Sequence, residues 1–308
     1  LFRSVVWVDD GVYTAYQGQP KTEPVIKVEK MIKVISLYGP ENCIIDGQNT
    51  TTDGYGGAYI NVGQIFGTEE FCPSVEGFTF RNCYAPVNSY NNPFGNGSGV
   101  FIGQNQVSGP PQINGTGKVI NCIFDNCKSS NTGGAIYLET LSLGGVESCI
   151  IKNCVASQGG GIFARYTYVP KTFVRNVLIH DCSCTYVAGA IAAKEGIRAS
   201  HITMTDNIDN VGAGFGLFAG GIFFNTTAPN RDHITDSVVA GNTLAEWRSY
   251  PGAASSIDWS YSLTNISAIP SAPNMINSVT NPPIFTTDYQ LDSSSPGYNS
   301  ASDGKAQQ

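Results

Sequence analysis

"VINCIFDNCKSSNTGGAIYL", residues 119–138, and "VESCIIKNCVASQGGGIFA", residues 146–164, are successive stretches of one chain. Each opens on nine residues with an apolar middle and an Asn-Cys end. Each then crosses a short polar stretch into Gly-Gly and a second apolar run. The nine-residue unit recurs as "VEGFTFRNC" (75–83) and "VRNVLIHDC" (174–182), and more weakly as "ASHITMTDN" (199–207), "ITDSVVAGN" (234–242) and "IDWSYSLTN" (257–265). Successive copies end 44, 27, 28, 25, 35 and 23 residues apart. The glycine unit recurs between them as "GGAIYLE" at Gly133, "GGGIFAR" at Gly159, "AGAIAAK" at Ala188 and "AGGIFFN" at Ala219, with a degenerate "SGVFIGQ" at Ser98. Two motifs thus share one irregular period.

No segment carries a sustained 3.6-residue apolar period, and the apolar runs are short and bounded by Gly, Asn and Ser. A period of this size, with two or three short strands in each copy, predicts the coil of a parallel β-helix. Each coil lies on its own copy about 4.8 Å away. The fold class expected is therefore all-β: a right-handed parallel β-helix solenoid of roughly nine coils. Gly and Asn mark its corners, where positive φ is needed. The insertions at 84–118 and 208–218 are expected to bulge as loops at one corner. Residues 1–296 form a single domain, with N-terminal coils over 1–48 and repeat coils over 75–265, and residues 297–308 are a tail or linker.

Composition agrees with this reading. The 308 residues suffice for a sizeable core, and they include 35 Gly with 41% hydrophobic and only 13% charged residues, a profile of strands and turns. The net charge of −7 excludes nucleic acid as an expected partner, since phosphate binding needs a basic face. No apolar run approaches the ~20 residues of a membrane-spanning helix. The chain begins at Leu1 and reads as a processed form or a fragment. Asn-x-Ser/Thr sequons stand at Asn49, Asn96, Asn114, Asn225 and Asn265, and are N-glycosylation candidates if the chain enters a secretory pathway. Low charge and many uncharged polar residues favour an extracellular or cell-surface setting.

Cys83, Cys127, Cys154 and Cys182 fall at one position of the repeat, and Cys122 and Cys149 at another. Ladders of small, soft, inward side chains are the first reading. Disulfides between adjacent coils are the second, because stacked Cα atoms lie within disulfide range. Cys43, Cys72 and Cys184 fall outside the ladders and are the favoured disulfide partners. Metal is the weakest reading, because the five-residue spacing spreads the thiols over separate columns.

If the Ile of the glycine motif points inward, alternation sends its neighbours outward. One outward column is then Tyr137, Phe163, Ala192 and Phe223. The next is Gln104, Glu139, Arg165, Lys194 and Asn225, with Tyr166 and Tyr168 following at the corner. Exposed rings of Tyr137, Phe163, Tyr166, Tyr168 and Phe223 would stack on sugars, and the polar column would bond hydroxyls or uronate carboxylates. In a lyase, Lys194 would act as general base and Arg165 would neutralise the carboxylate, with Glu139 beside them. The plainer reading is a stabilising ladder of alternating charges and aromatic rings covered by a loop.

The "GGAI" and "FRNC"/"FDNC" motifs and the ending "NPPIFTTDYQLDSSSPGYNSAS" carry a resemblance over residues 25–296. They resemble the secreted right-handed parallel β-helix proteins of the pectin-lyase-like superfamily, in particular the group with polymorphic outer-membrane-protein-type repeats, GGA[ILV] with FxxN. Here the second motif departs to Phe-x-x-Cys at Phe80 to Cys83 and Phe124 to Cys127. Asp288, Tyr289, Leu291, Ser295 and Pro296 match the closing motif of many such proteins. The resemblance implies a capped first coil, so "LFRSVVWVDDGVYTAY" reads as a start just inside that cap. It also implies surface proteins, adhesins and filament parts as well as polysaccharide lyases, hydrolases and epimerases. Paired Asp with Gly-His-Gly, Arg-Ile-Lys and Asp-rich calcium clusters are absent. The best acidic candidates are Asp9 with Asp10, which read as a turn, and Asp232, His233 and Asp236, which read as a corner before a strand.

The expectation is a non-catalytic extracellular or cell-surface module, structural or adhesive, with glycan binding as an added capacity. The alternative is a polysaccharide lyase, hydrolase or epimerase acting on an acidic glycan. No cofactor is expected, except Ca2+ if the protein is a lyase. Expected partners are other copies of the chain, neighbouring surface proteins or a polysaccharide.

Overall fold

The computed structural model describes residues 4–14, 24–48, 57–62, 72–85, 95–103, 115–139, 141–165, 172–194, 196–210, 219–225, 232–243, 247–249, 257–260, 263–264, 274–276, 284, 286 and 293–295. The chain winds through three sheets in turn, and each strand pairs in parallel with its copy one turn later. The first sheet follows a path of ten strands: Ser4–Val8, Ile32–Ser36, Ser74–Glu76, Gly115–Ile120, Leu141–Lys152, Thr172–His180, Arg198–Thr205, Asp232–Thr235, Ile257–Ser260 and Asn274–Ile276. The second holds eight, from Ile26–Val28 to Trp247–Ser249, and contains the glycine motifs. The third is a short five-stranded ladder from Tyr84–Ala85 to Ile208–Asp209. This is an all-β parallel β-helix.

The nine-residue unit is a strand bent once and then turned. Its third position is Gly77, Asn121, Ser148, Asn176, His201 and Asp236, all with φ between 49° and 77°. Its eighth is Asn82, Asn126, Asn153, Asp181, Asp206 and Gly241, with φ between 52° and 81°. Left-handed backbone is unfavourable for most L-residues, and Asn, Asp and Gly tolerate it best. The Asn or Asp before each Cys is therefore a corner residue. Asp236 belongs to the same set. Asp232 and His233 thus lie in a strand, Asp232–Thr235, rather than in the corner that the sequence suggested, whereas Asp236 is such a corner before the strand Val238–Val239.

Between the bends, side chains alternate and stack in columns. One inward column runs Val34, Val75, Val119, Val146, Val174, Ala199, Ile234. Another runs Ile45, Phe80, Phe124, Ile151, Ile179, Met204, Val239. These columns are buried and merge into one core. Within it the rings of Phe80 and Phe124 stack with centroids 5.1 Å apart.

The cysteines complete that core. Successive bonds from Lys128, Val155, Ser183, Ile208 and Thr243 N–H to the carbonyls of Cys83, Cys127, Cys154, Cys182 and Asn207 set one column: Cys83, Cys127, Cys154, Cys182, Asn207, Asn242. All nine cysteines are buried free thiols. This corrects the expectation that Cys43, Cys72 and Cys184 stand apart as disulfide partners. Cys43 and Cys122 flank Phe78 on either side in one column, which continues to Cys149. Cys184 lies between Ala156 and Asp209 in the third sheet, and the Cys72 thiol faces the Leu143 carbonyl oxygen at 3.9 Å. The ladder thiols donate to backbone oxygens, Cys154 to Lys152 at 3.1 Å and Cys149 to Glu147 at 3.2 Å. Burial drives the Cys149 and Cys154 thiols well above their ordinary pKa, so they remain neutral thiols rather than nucleophiles.

Candidate functional site

The glycine motif sets the outward face of the second sheet. Its first residue takes a left-handed conformation at Gly133, Gly159 and Ala188, with φ of 65°, 62° and 58°. Its second, Gly134, Gly160, Gly189 or Gly220, sits where coils approach closely. A Cβ there would collide with backbone oxygens, that of Gly160 against Gly134 and that of Gly220 against Gly189. The following Ile136, Ile162, Ile191 and Ile222 pair in register and point into the core, as expected.

Their neighbours point the other way, also as expected, but they are not open to solvent. Tyr137 is 2% exposed, Phe163 2% and Phe223 7%. They form a second buried cluster with Tyr59, Phe101, Val187, Ala188 and Ala192. This corrects the reading of an exposed aromatic face. Alternation fixes the direction of a side chain, and the packing beyond the sheet decides whether water reaches it. The rings of Phe101, Tyr137 and Phe163 stack with centroids 5.1 and 5.4 Å apart, and Tyr59 meets Phe101 edge-on. The column extends two coils further toward the N-terminus than the sequence reading took it. The missed signal for Tyr59 is "GGAYI" at residues 56–60, a further copy of the motif.

The polar column stands as expected. Glu139 pairs with Arg165 in register, and the Lys194 N–H bonds the Ala164 carbonyl at 2.8 Å. Arg165 Nη1 donates to Glu139 Oε2 at 3.2 Å, and the Tyr137 hydroxyl donates to the same oxygen. Lys194 Nζ lies 5.6 Å from the Phe163 ring centroid. Burial, followed by the Glu139 charge, pushes the Tyr137 hydroxyl well above its usual pKa. Burial works against the Arg165 cation, but Tyr137 and Glu139 outweigh it and raise its pKa. Burial and then Arg165 pull the Lys194 ammonium below its ordinary value, against Glu139. Of the proposed catalytic residues, Glu139, Arg165 and Lys194 are therefore together, with one carboxylate answering two cations.

Asn225 continues this column, its N–H bonded to Ala193 O at 2.8 Å. Asn96 is half-buried; its Oδ1 accepts from the Thr132 hydroxyl at 2.7 Å, and its sequon partner Ser98 is fully buried. Gln104, Tyr166, Tyr168, Asn49, Asn114 and Asn265 lie outside the described residues, as do Asp288, Tyr289, Leu291 and Pro296. Asp9 and Asp10 form the turn read from the sequence, with the Asp10 N–H on Asp9 Oδ1 at 3.0 Å.

A second cluster, not singled out in the sequence, lies on the first sheet. Arg175 lies 4.2 Å and Lys118 Nζ 5.7 Å from the Phe173 ring centroid, and Arg175 Nη2 bonds Glu147 at 2.9 Å. Gly145 lies between Lys118 and Phe173 in register, which leaves room for the ring. Among the described residues, no three His, Cys, Asp or Glu side chains converge to hold a metal ion, and no helix is long and apolar enough to cross a membrane. Compared with known proteins, the chain matches no family model, no curated protein and no solved structure.

Proposed function

We propose that this chain is a non-catalytic extracellular or cell-surface β-helix module with a structural or adhesive role, as part of a coat, fibre or filament. The observation that carries the proposal is the closure of the outward face of the second sheet. Its aromatic column is buried, and the carboxylate of Glu139 is held by Tyr137 and Arg165. Sugar stacking needs open ring faces, and the described rings of this column offer none. The proposal includes kinship with secreted pectin-lyase-like β-helix proteins, supported by the parallel three-sheet winding and the repeated glycine motif.

The alternative reading, an enzyme acting on acidic polysaccharide, draws on one observation: Lys194 has a lowered pKa beside Arg165. The two readings separate in a turnover assay. Wild-type protein and Lys194→Ala are incubated with polygalacturonate, alginate and a glycosaminoglycan. Ultraviolet absorbance reports unsaturated uronate, and a reducing-end assay reports hydrolysis. The expected result is no product from either protein. Product formation that disappears in K194A would establish the enzyme and end the module proposal.

A further inference from the structure

The cluster of Lys118, Phe173, Arg175 and Glu147 on the first sheet carries the inference. Lys118 precedes the inward Val119 and Phe173 precedes the inward Val174, so both side chains point outward. They share one outward column: Ser74, Lys118, Gly145, Phe173, Arg198. The outward column beside it is Glu76, Ile120, Glu147, Arg175, Ser200. Gly145 has no side chain, so a gap one coil high opens between Lys118 and Phe173. The ring and the ammonium share it, with Lys118 Nζ 5.7 Å from the ring centroid. The Arg175 guanidinium lies 4.2 Å from the same centroid. Two cations therefore lie against one ring.

The way these charges pair sets the cluster apart. Two coils earlier in the same column, Lys33 reaches Glu76, which stands in the neighbouring column of the next coil, at 3.5 Å. Glu147 stands in that same relation to Lys118. Arg175, one coil beyond Glu147, bonds this carboxylate instead, Nη2 to Oε2 at 2.9 Å. Among the described residues no other carboxylate lies within ion-pair distance of Lys118, and its charged end meets the Phe173 ring.

The site is enclosed as well as cationic. Lys118 is 9% exposed and Phe173 8%. Lysine ordinarily keeps its ammonium in water, and burying a cation without a counter-charge is costly. An aromatic face offsets part of that cost, but it does not give the short charge-assisted hydrogen bonds of an oxyanion. Arg198, exposed, follows Phe173 in the column. From Lys118 to Ser200 these two columns hold three cations and one carboxylate, on a chain whose net charge is −7. A local excess of positive charge at an enclosed site attracts and concentrates anions.

We infer that Lys118 and Arg175 form a binding site for an oxyanion, a carboxylate or sulfate group, beside the Phe173 ring. The ammonium supplies three donors and the guanidinium a second positive charge, while the ring spaces them and shields one side from water. Glu147 sets the affinity, because it competes with the ligand for Arg175. This site is separate from the Glu139, Arg165 and Lys194 column on the second sheet. It goes beyond the module reading and does not depend on it. Such groups come from two sources, acidic glycans and free ions, and the test separates them.

The test is isothermal titration calorimetry on the 308-residue chain at low salt, with sodium sulfate, galacturonate, polygalacturonate and heparin as probes. Wild type is expected to bind at least one of them, more weakly as salt rises. Lys118→Met keeps an apolar stem and removes the charge. It is expected to weaken binding roughly tenfold or more, as the loss of one charge-assisted pair does. Lys118→Arg restores the charge and is expected to recover most of the affinity. Glu147→Gln removes the competing carboxylate and is expected to tighten binding about threefold or more, a gain that a merely structural role for the cluster would not produce. Lys128→Met, exposed on the third sheet, is expected to leave binding unchanged. Melting curves report that each variant is folded, and if K118M is not, E147Q decides. Binding of sulfate and galacturonate as well as the polymers would identify a site for free ions; binding of the polymers alone would identify a glycan site; each upholds the inference. No binding of any probe, or binding indifferent to both K118M and E147Q, would overturn it. None of these outcomes involves turnover, so they leave the module reading to its own assay.

Discussion

Asn207 is the position where the cysteine column becomes an asparagine column, and its replacement gives the sharpest test of how that column works. Asn207 is fully buried. Its Oδ1 accepts from Cys182 N–H at 3.0 Å, and its Nδ2 donates to Ile179 O at 3.0 Å and to Asn242 Oδ1 at 2.8 Å. Asn207→Ala removes all three bonds and strands the Cys182 N–H away from water. The stranded group costs about 1–3 kcal/mol and the other lost bonds about 1 kcal/mol, so the loss should be about 2–4 kcal/mol. Asn207→Cys should cost less, about 1–2 kcal/mol, because a thiol there can still donate to Ile179 O. Cys182 makes the equivalent bond to Ile151 O, at 3.8 Å, one coil earlier. The assay is urea unfolding with the slope held constant, alongside native-state hydrogen exchange at the Cys182 amide. N207A should expose that amide and lower the midpoint, with N207C falling between it and wild type. A loss below about 1 kcal/mol in N207A, with the Cys182 amide still protected, would refute the claim that this side chain satisfies the coil below it.

Three further outcomes follow from the same geometry. Gly160→Ala drives a Cβ into the Ser183 and Gly189 carbonyl oxygens of the next coil and should cost about 2–3 kcal/mol, whereas Gly161→Ala, whose Cβ would meet Ala190 O at 2.9 Å and Ile179 Cγ2 at 3.0 Å, should cost less, about 1–2 kcal/mol; melting curves of the pair decide it. Burial alone would raise the pKa of Asp46, but the Gln48 N–H, Arg81 and Asn82 outweigh it and hold it below the usual value. That stabilisation is present above the unfolded carboxylate pKa of about 3.9 and disappears as pH falls through the folded value, so the Tm gap between wild type and Asp46→Asn should be constant near neutrality and close in acid. All nine thiols are buried, so a thiol reagent should modify none in the native protein and nine in denaturant; labelling of two or more pairs only after reduction would contradict the free-thiol core.

The repeat was legible because its physical causes are local. The Asn or Asp at the eighth position of each unit marks a left-handed corner, and the Gly-Gly pair marks a second corner followed by a close approach between coils. Each requirement restricts residue type at one position, so it survives in a single sequence. The inward direction of Ile136, Ile162, Ile191 and Ile222 followed from alternation for the same reason. The burial of Tyr137, Phe163 and Phe223 was not legible, because alternation fixes which way a side chain points and not whether water reaches it. The shared column of Cys43 and Cys122 was hidden for a related reason. Phe78 stands between them, and the 44-residue spacing between the units ending at Cys83 and Cys127 masks their register.

The irregular period itself has a physical account. Within each described nine-residue unit the two left-handed residues are five apart, as at Asn121 and Asn126 or at Ser148 and Asn153. That fixed spacing sets the length of the strand between the bends and keeps Phe124 above Phe80 and below Ile151. The glycine pair then fixes where the second sheet begins, because its second residue tolerates no side chain. Between these anchors the chain is free to lengthen, since closing a longer loop costs only slowly more entropy. The paired units therefore stand 25 to 44 residues apart with their strands in register, and the last copy pairs 25 residues on, Ile234 with Trp259 and Val238 with Leu263, which shifts it two positions from the 257–265 alignment read in the sequence. Keeping register rather than length constant lets one solenoid carry loops of different size on a uniform stack. A module built this way is specified coil by coil, so the surface that completes each coil is the surface of another coil.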